Sequence, residues 1–173
     1  MYPTKNLEDL FEQFPNGFTI YQVYLLADKI IEIELDGVEK GKSIEGTIKQ
    51  IDVKSRAEEK KITVTYDKGK YSYDDEEEAK KLWPIEKFLF QEMTLNKEVL
   101  SKFRLKDTYY NGNNGSFEIE YVVKNEQINE FLGIEKKQQV TLGFHGSNSN
   151  KRYYYTLSVE LDKNFKFRER IEE

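Results

Sequence analysis

The chain has a single histidine, His145, set in the run Phe144-His145-Gly146-Ser147. A lone imidazole can serve as a base or reach a base edge, but it cannot build a multi-histidine metal site. Asp52, Glu58 and Lys60 approximate the Asp…Glu-x-Lys pattern of metal-dependent nucleases. There the carboxylates bind a divalent ion and the lysine steadies the attacking water. In this chain Glu58-Glu59-Lys60-Lys61 reads instead as a charged loop, and with 34% of residues charged such spacings arise by chance. Glu32, Glu34 and Asp36 alternate along one strand face, where the ordinary reading is a solvated side facing lysines of a neighbour. The acidic run Asp74 to Glu78 is explained by helix capping and the helix dipole.

The stronger signal is the interleaving of cations with tyrosines and asparagines. Lys60-Lys61 precedes a hairpin carrying Lys68, Lys70, Tyr71 and Tyr73. Lys102, Arg104 and Lys106 run into Tyr109-Tyr110, and Asn148, Asn150, Lys151, Arg152 and Tyr154 fill a second stretch. Lys and Arg pair with phosphates, while Asn, Arg and Tyr read or stack on bases. The candidate nucleic-acid-binding residues are therefore Lys102, Arg104, Lys106, Asn148, Asn150, Lys151, Arg152 and Tyr154. No catalytic residue, metal ligand or cofactor site is assigned. The chain lacks a Gly-rich phosphate loop, a Gly-x-Ser-x-Gly elbow and a His-Glu-x-x-His pair.

Two local resemblances bear on this. Phe144 to Ser147 resembles the His-Gly-Ser/Thr element of ADP-ribosyltransferases, which implies a Tyr strand and a Glu well downstream. Only 28 residues follow His145, and Tyr154 and Glu160 lie too close in sequence to fill those roles. The run Ile128 to Phe144 resembles the closing part of B3-type DNA-recognition barrels, without a diagnostic motif.

Composition narrows the classes. At 173 residues the chain suits one domain, 1–173, with a weak subdivision near Pro84. Its 12 Tyr and 11 Phe supply a core despite the high charge. The absence of Cys excludes disulfides, thiolate zinc sites and a cysteine nucleophile, and fits a cytoplasmic location. The apolar stretch Phe18 to Leu26 is too short to span a bilayer, and Met1 to Asn6 has no apolar signal region, so neither secretion nor membrane insertion is expected. A net charge of -5 confines any nucleic-acid contact to a local patch.

The elements follow from periodicity. Leu7, Leu10, Phe11 and Phe14 share a helical face, closed by Pro15-Asn16-Gly17. Strands are expected over Phe18–Leu26, buried on both faces, then around Ile31–Leu35 and Ile44–Val53. The last of these slips phase near Lys49, as a bulge would cause. Ser55 to Lys60 is a loop, and Ile62 to Tyr73 a hairpin turning at Asp67-Lys68-Gly69. Asp74 caps an acidic helix. Residues 85–94 are ambiguous, and Asn96 and Asn125 cap two more helices. Asn111 to Gly115 is the strongest turn, joining Leu105–Tyr110 to Phe117–Val123. Gln139–Phe144, Arg152–Leu161 and Lys163–Arg168 complete the strands, with His145 to Asn150 a polar loop.

The expected fold is α+β: a curved antiparallel sheet or pseudobarrel with about four short helices. The expected function is a non-catalytic nucleic-acid-recognition module, duplex DNA favoured, with a prokaryotic restriction or defence system as its setting. The alternative is a protein-interaction module, an inhibitor or adaptor from a phage or mobile-element context. A divalent-metal nuclease is the third reading.

Overall fold

The computed structural model describes residues 4–149, 152–162 and 164–173, with side chains for all of these except 148, 149 and 152–155. Ten strands form one antiparallel sheet in the order β5-β4-β3-β2-β1-β10-β9-β8-β7-β6. They are β1 (Phe18–Leu25), β2 (Lys29–Gly37), β3 (Ile44–Asp52), β4 (Glu58–Asp67), β5 (Lys70–Tyr73), β6 (Arg104–Asn111), β7 (Ser116–Val123), β8 (Val140–Ser149), β9 (Arg152–Asp162) and β10 (Phe165–Glu172). The sheet is open, with β5 and β6 as its edges, so the expected pseudobarrel is corrected. Closure would require β5 and β6 to pair, and they share no ladder among the described residues; at the centre of the sheet β1 pairs with β10 from Thr19↔Glu172 to Leu25↔Lys166.

The chain path explains the layering. It starts at the centre, meanders to one edge, and must then reach the opposite edge before meandering back. Nine strand spacings of about 4.8 Å make that crossing roughly 43 Å. Residues 74–103 make it, carrying the helices α1 (Glu76–Leu82), α2 (Leu89–Glu92) and α3 (Lys97–Leu100). A 3₁₀ helix at Leu7–Glu12 and α4 (Glu126–Phe131) bring the helices to five. Two apolar clusters lie on one face of the sheet. Leu7, Phe18, Ile33, Ile48, Val64 and Trp83 belong to one, and Leu89, Ile128, Leu142, Leu157 and Phe167 to the other.

The crossing segment is fastened at the sheet's centre. Glu169 on β10 and Gln22 on β1 are fully enclosed polar side chains. The Glu169 carboxylate accepts N–H bonds from Leu89 (2.5 Å) and Phe90 (3.0 Å) at the start of α2. Gln22 donates to Glu169 (3.0 Å) and to the Lys87 carbonyl (3.3 Å), and accepts from Trp83 Nε1 (2.8 Å). Backbone groups freed where the segment crosses the core thus find partners on the sheet, as buried polar groups must.

Several local expectations change. β1 alternates rather than being buried on both faces: Phe18, Ile20 and Gln22 point to the core, Thr19, Tyr21 and Val23 away. The N-cap of α1 is Asp75, which accepts from the Glu78 N–H, while Asp74 takes the Thr63 N–H at 2.9 Å. His145 lies inside β8, which runs on to Ser149, so the expected polar loop is strand from His145 to Ser149, Asn150 lying outside the described residues. The phase slip expected near Lys49 is a register shift between Gln50 and Ile51. No helix among the described residues is long and apolar enough to cross a membrane.

Candidate functional site

All five helices pack on one face of the sheet or at its ends, and the other face is a lattice of alternate residues set by register. Across its middle run Thr47, Glu34, Tyr21, Arg170, Thr156, His145, Glu118 and Tyr109, one from each of β3, β2, β1, β10, β9, β8, β7 and β6. The next row holds Lys61, Lys49, Glu32, Val23, Arg168, Ser158, Gly143 and Glu120. β2 therefore carries an acidic column (Glu32, Glu34, Asp36) and β10 a basic one (Lys166, Arg168, Arg170), with β1 between them.

The basic column borders two adjoining hollows. One, of about 330 Å³, has a floor of Val23, Leu25 and Ile30 and walls of Arg56, Lys166 and Arg168, with Glu32 on its rim. The other, of about 300 Å³, lies between Tyr21, Thr156, Arg168 and Arg170. Lys166 pairs with Glu160, and Arg170 with Glu172. Arg56 and Arg168 make no ion pair among the described residues. Burial, and then the neighbouring Arg168 guanidinium, pull the Lys166 ammonium below its usual range, with Glu120 and Glu118 opposing the shift.

Arg56 reaches this face from the β3–β4 turn. It sits in the left-handed region at φ 59°, unfavourable for a residue with a Cβ. Asp52 holds the turn: its Oδ1 accepts the N–H groups of Lys54 (3.1 Å) and Ser55 (2.6 Å) and the Ser55 hydroxyl (2.7 Å). These bonds, Ser55's foremost, keep the Asp52 carboxyl below the usual carboxylate range. Asp52 is thus a turn residue. Lys60 pairs with Glu78 of α1 on the helical side, and Glu58 stands opposite Ile51, so the three residues of the nuclease pattern are not brought together.

A hydrogen-bonded chain occupies the β7–β9 part of the same face. His145 Nδ1 is 3.2 Å from Glu118 Oε1, and its Nε2 is 3.2 Å from Ser158 Oγ. Gly143 makes room for this: a Cβ there would lie 2.6 Å from Ser158 Oγ and 2.9 Å from His145 Nε2. The order carboxylate, imidazole, hydroxyl is that of an activated nucleophile. Ser158, however, is only 3% exposed and sits mid-strand between β8 and β10, where backbone N–H groups serve the ladders rather than an oxyanion. The chain fixes the ring of His145.

The residues nominated from sequence divide between the two ends of these strands. Lys102 is exposed in the turn after α3, and Arg104 opens β6 opposite Val122. Lys106 lies on the open face, 2.9 Å from Glu120. Ser149 and Arg152, at the other end, lie eight residues beyond the Thr141 that continues the Arg104–Val122 row, roughly 26 Å along the strand. Asn150 and Lys151 lie outside the described residues, as do the side chains of Asn148, Arg152 and Tyr154. Sequence reasoning missed Arg56, Lys166, Arg168 and Arg170. The alternation Lys166-x-Arg168-x-Arg170 is a period-two basic stripe and could have revealed the last three; nothing local announces Arg56.

No protein-family model matches the chain, and no curated protein is similar to it in sequence.

Proposed function

We propose that the chain is a non-catalytic nucleic-acid-recognition module that binds through the open face of its sheet, along β10. The observation that carries this reading is the clustering of Arg56, Lys166, Arg168 and Arg170 around hollows floored by Val23, Leu25 and Tyr21. Alternate residues on a strand are about 6.7 Å apart, close to the spacing of successive phosphates in an extended single strand. Phosphates tracking β10 would set bases over β1, where Tyr21 offers a stacking ring. The acidic column on β2 confines the footprint to this lane, so the shallow face suits a single strand better than the duplex expected from the hairpin loops. A cytoplasmic, defence-related setting belongs to this reading.

The test is fluorescence anisotropy with single-stranded and duplex oligonucleotides at low and moderate salt. The expected result is binding that weakens with salt and prefers single strands. The pair Arg56→Ala and Arg168→Ala should lower affinity at least tenfold and reduce the salt slope by about 1 to 2. Equal binding by the variant, or none by the wild type at low salt, rejects the reading. A second reading, a protein-interaction module, is favoured by one separate observation, the exposure of Leu105, Tyr109 and Tyr110 on the edge strand β6.

A further inference from the structure

The two edges of the sheet are finished differently. β5 is four residues long, and Tyr71 packs edge-on against Trp83 with ring centroids 5.2 Å apart. The adjoining turn is tied to the N-terminal 3₁₀ helix by the Gly69 N–H, which donates to Glu8. β6 is eight residues long, and all but Asn111 are exposed. Leu105, Tyr109 and Tyr110 are 54%, 57% and 70% exposed, and with Val38 they are the large apolar side chains left uncovered among the described residues. A long free edge bearing large apolar groups is what folded proteins usually avoid, because its unpaired N–H and C=O groups template another strand.

The edge's guards, the charges Arg104, Lys106 and Asp107 and a register shift, are gathered in its first half. Lys106 is drawn onto the open face by Glu120, at the register shift between Leu105 and Asp107, rather than projecting as a charge along the edge. Beyond the shift, Asp107 to Asn111 keep unbroken register with β7.

We infer that β6 pairs antiparallel with β6 of a second copy of this chain, joining two sheets into one of twenty strands. The strand's own asymmetry supports a copy of itself as the occupant. Its cations, Arg104 and Lys106, stand at the start and its rings, Tyr109 and Tyr110, at the end. Antiparallel self-pairing sets the cationic start of each copy against the aromatic end of the other, a cation–π match made twice by one two-fold axis. Leu105 and Tyr110 face the helical side, so they too meet across the axis. The inference does not depend on nucleic-acid binding, which uses β10 in the middle of the sheet.

The test is sedimentation or light scattering across micromolar concentrations, with Leu105→Glu/Tyr110→Glu, which sets like charges against each other across the axis, as the disrupting variant. Wild type should approach 41.2 kDa, twice the 20.6 kDa of the chain, and the variant should stay at 20.6 kDa with an unchanged circular dichroism spectrum. Because the chain has no Cys, Thr108→Cys provides a second check: with Leu105 opposite Tyr110 and one residue extra at the register shift, Thr108 faces its own copy, so two copies should crosslink under mild oxidation, and the added Leu105→Glu should abolish this. A wild type that remains monomeric at about 100 μM, or a dimer indifferent to the β6 changes, overturns the proposal. Loss of oligonucleotide binding by Arg168→Ala with the dimer intact would leave this inference standing on its own.

Discussion

Glu169 is a carboxylate placed where an apolar side chain would normally sit, and burial pushes its carboxyl up to about 7 despite the donors from Leu89, Gln22 and Phe90. In the unfolded chain it titrates near 4.5. Between these values the native state holds the proton more tightly, so stability is greatest below the lower value, declines as pH rises, and levels off above about 7. The interval corresponds to a contribution on the order of 3 kcal/mol. Urea midpoints for wild type should therefore fall between pH 5 and 7.5 relative to Glu169→Gln, whose side chain does not titrate. Parallel pH dependence in the two proteins would show that the carboxyl is not perturbed. The variant itself should be less stable, since its amide sets an NH₂ against one of the converging N–H groups.

At the scale of the elements, Gly46 of β3 lies close against the backbone of β2. A Cβ there would lie 1.8 Å from the Glu34 carbonyl oxygen and 2.8 Å from Leu35 Cα, both backbone atoms of β2. Backbone cannot swing aside as a flexible side chain can, so Gly46→Ala should cost roughly 3 kcal/mol, readable as a lowered thermal midpoint. Gly143→Ala meets only side chains, Ser158 and His145, and should cost less while displacing the His145 ring, visible as a changed histidine resonance. The helices were the elements best announced by their caps: Asn96 accepts from the Val99 N–H and Asn125 from the Ile128 N–H. Asp74 misled by one position because two acidic residues compete for the cap. Its carboxylate is taken instead by Thr63 of β4, a partner distant in sequence.

For the whole molecule, the central β1–β10 ladder joins the beginning of the chain to its end, and the crossing segment 74–103 lies across both apolar clusters. Unfolding one half would strip the other of its covering segment and of a ladder partner. The single Trp83, hydrogen-bonded to Gln22 in that segment, is a reporter for this. Its fluorescence transition should coincide with the loss of sheet circular dichroism in one cooperative step. An earlier fluorescence transition would mean that the segment opens on its own, in keeping with a subdivision near Pro84.

Much of the secondary structure could be read from residue order alone, because capping, turn chemistry and two-residue alternation act within a few residues. The turn at Asn111–Gly115 and the break at Pro15-Asn16-Gly17 reappear in space, and of the expected apolar face of β7, Ile119, Tyr121 and Val123 join the apolar cluster. Strand order was beyond that reach: alternation says that a strand has two faces but not which neighbour it takes, and an open sheet and a closed barrel share the same local pattern. Tertiary structure alone decided that the first and last strands pair, and that Lys106 is held by Glu120. It also decided that Arg56, from a turn, joins Lys166 and Arg168, more than a hundred residues away. Charge and aromatic content were legible in the sequence; the alignment of the basic column on β10 beside β1 follows from register between distant strands, a property no local stretch of sequence carries.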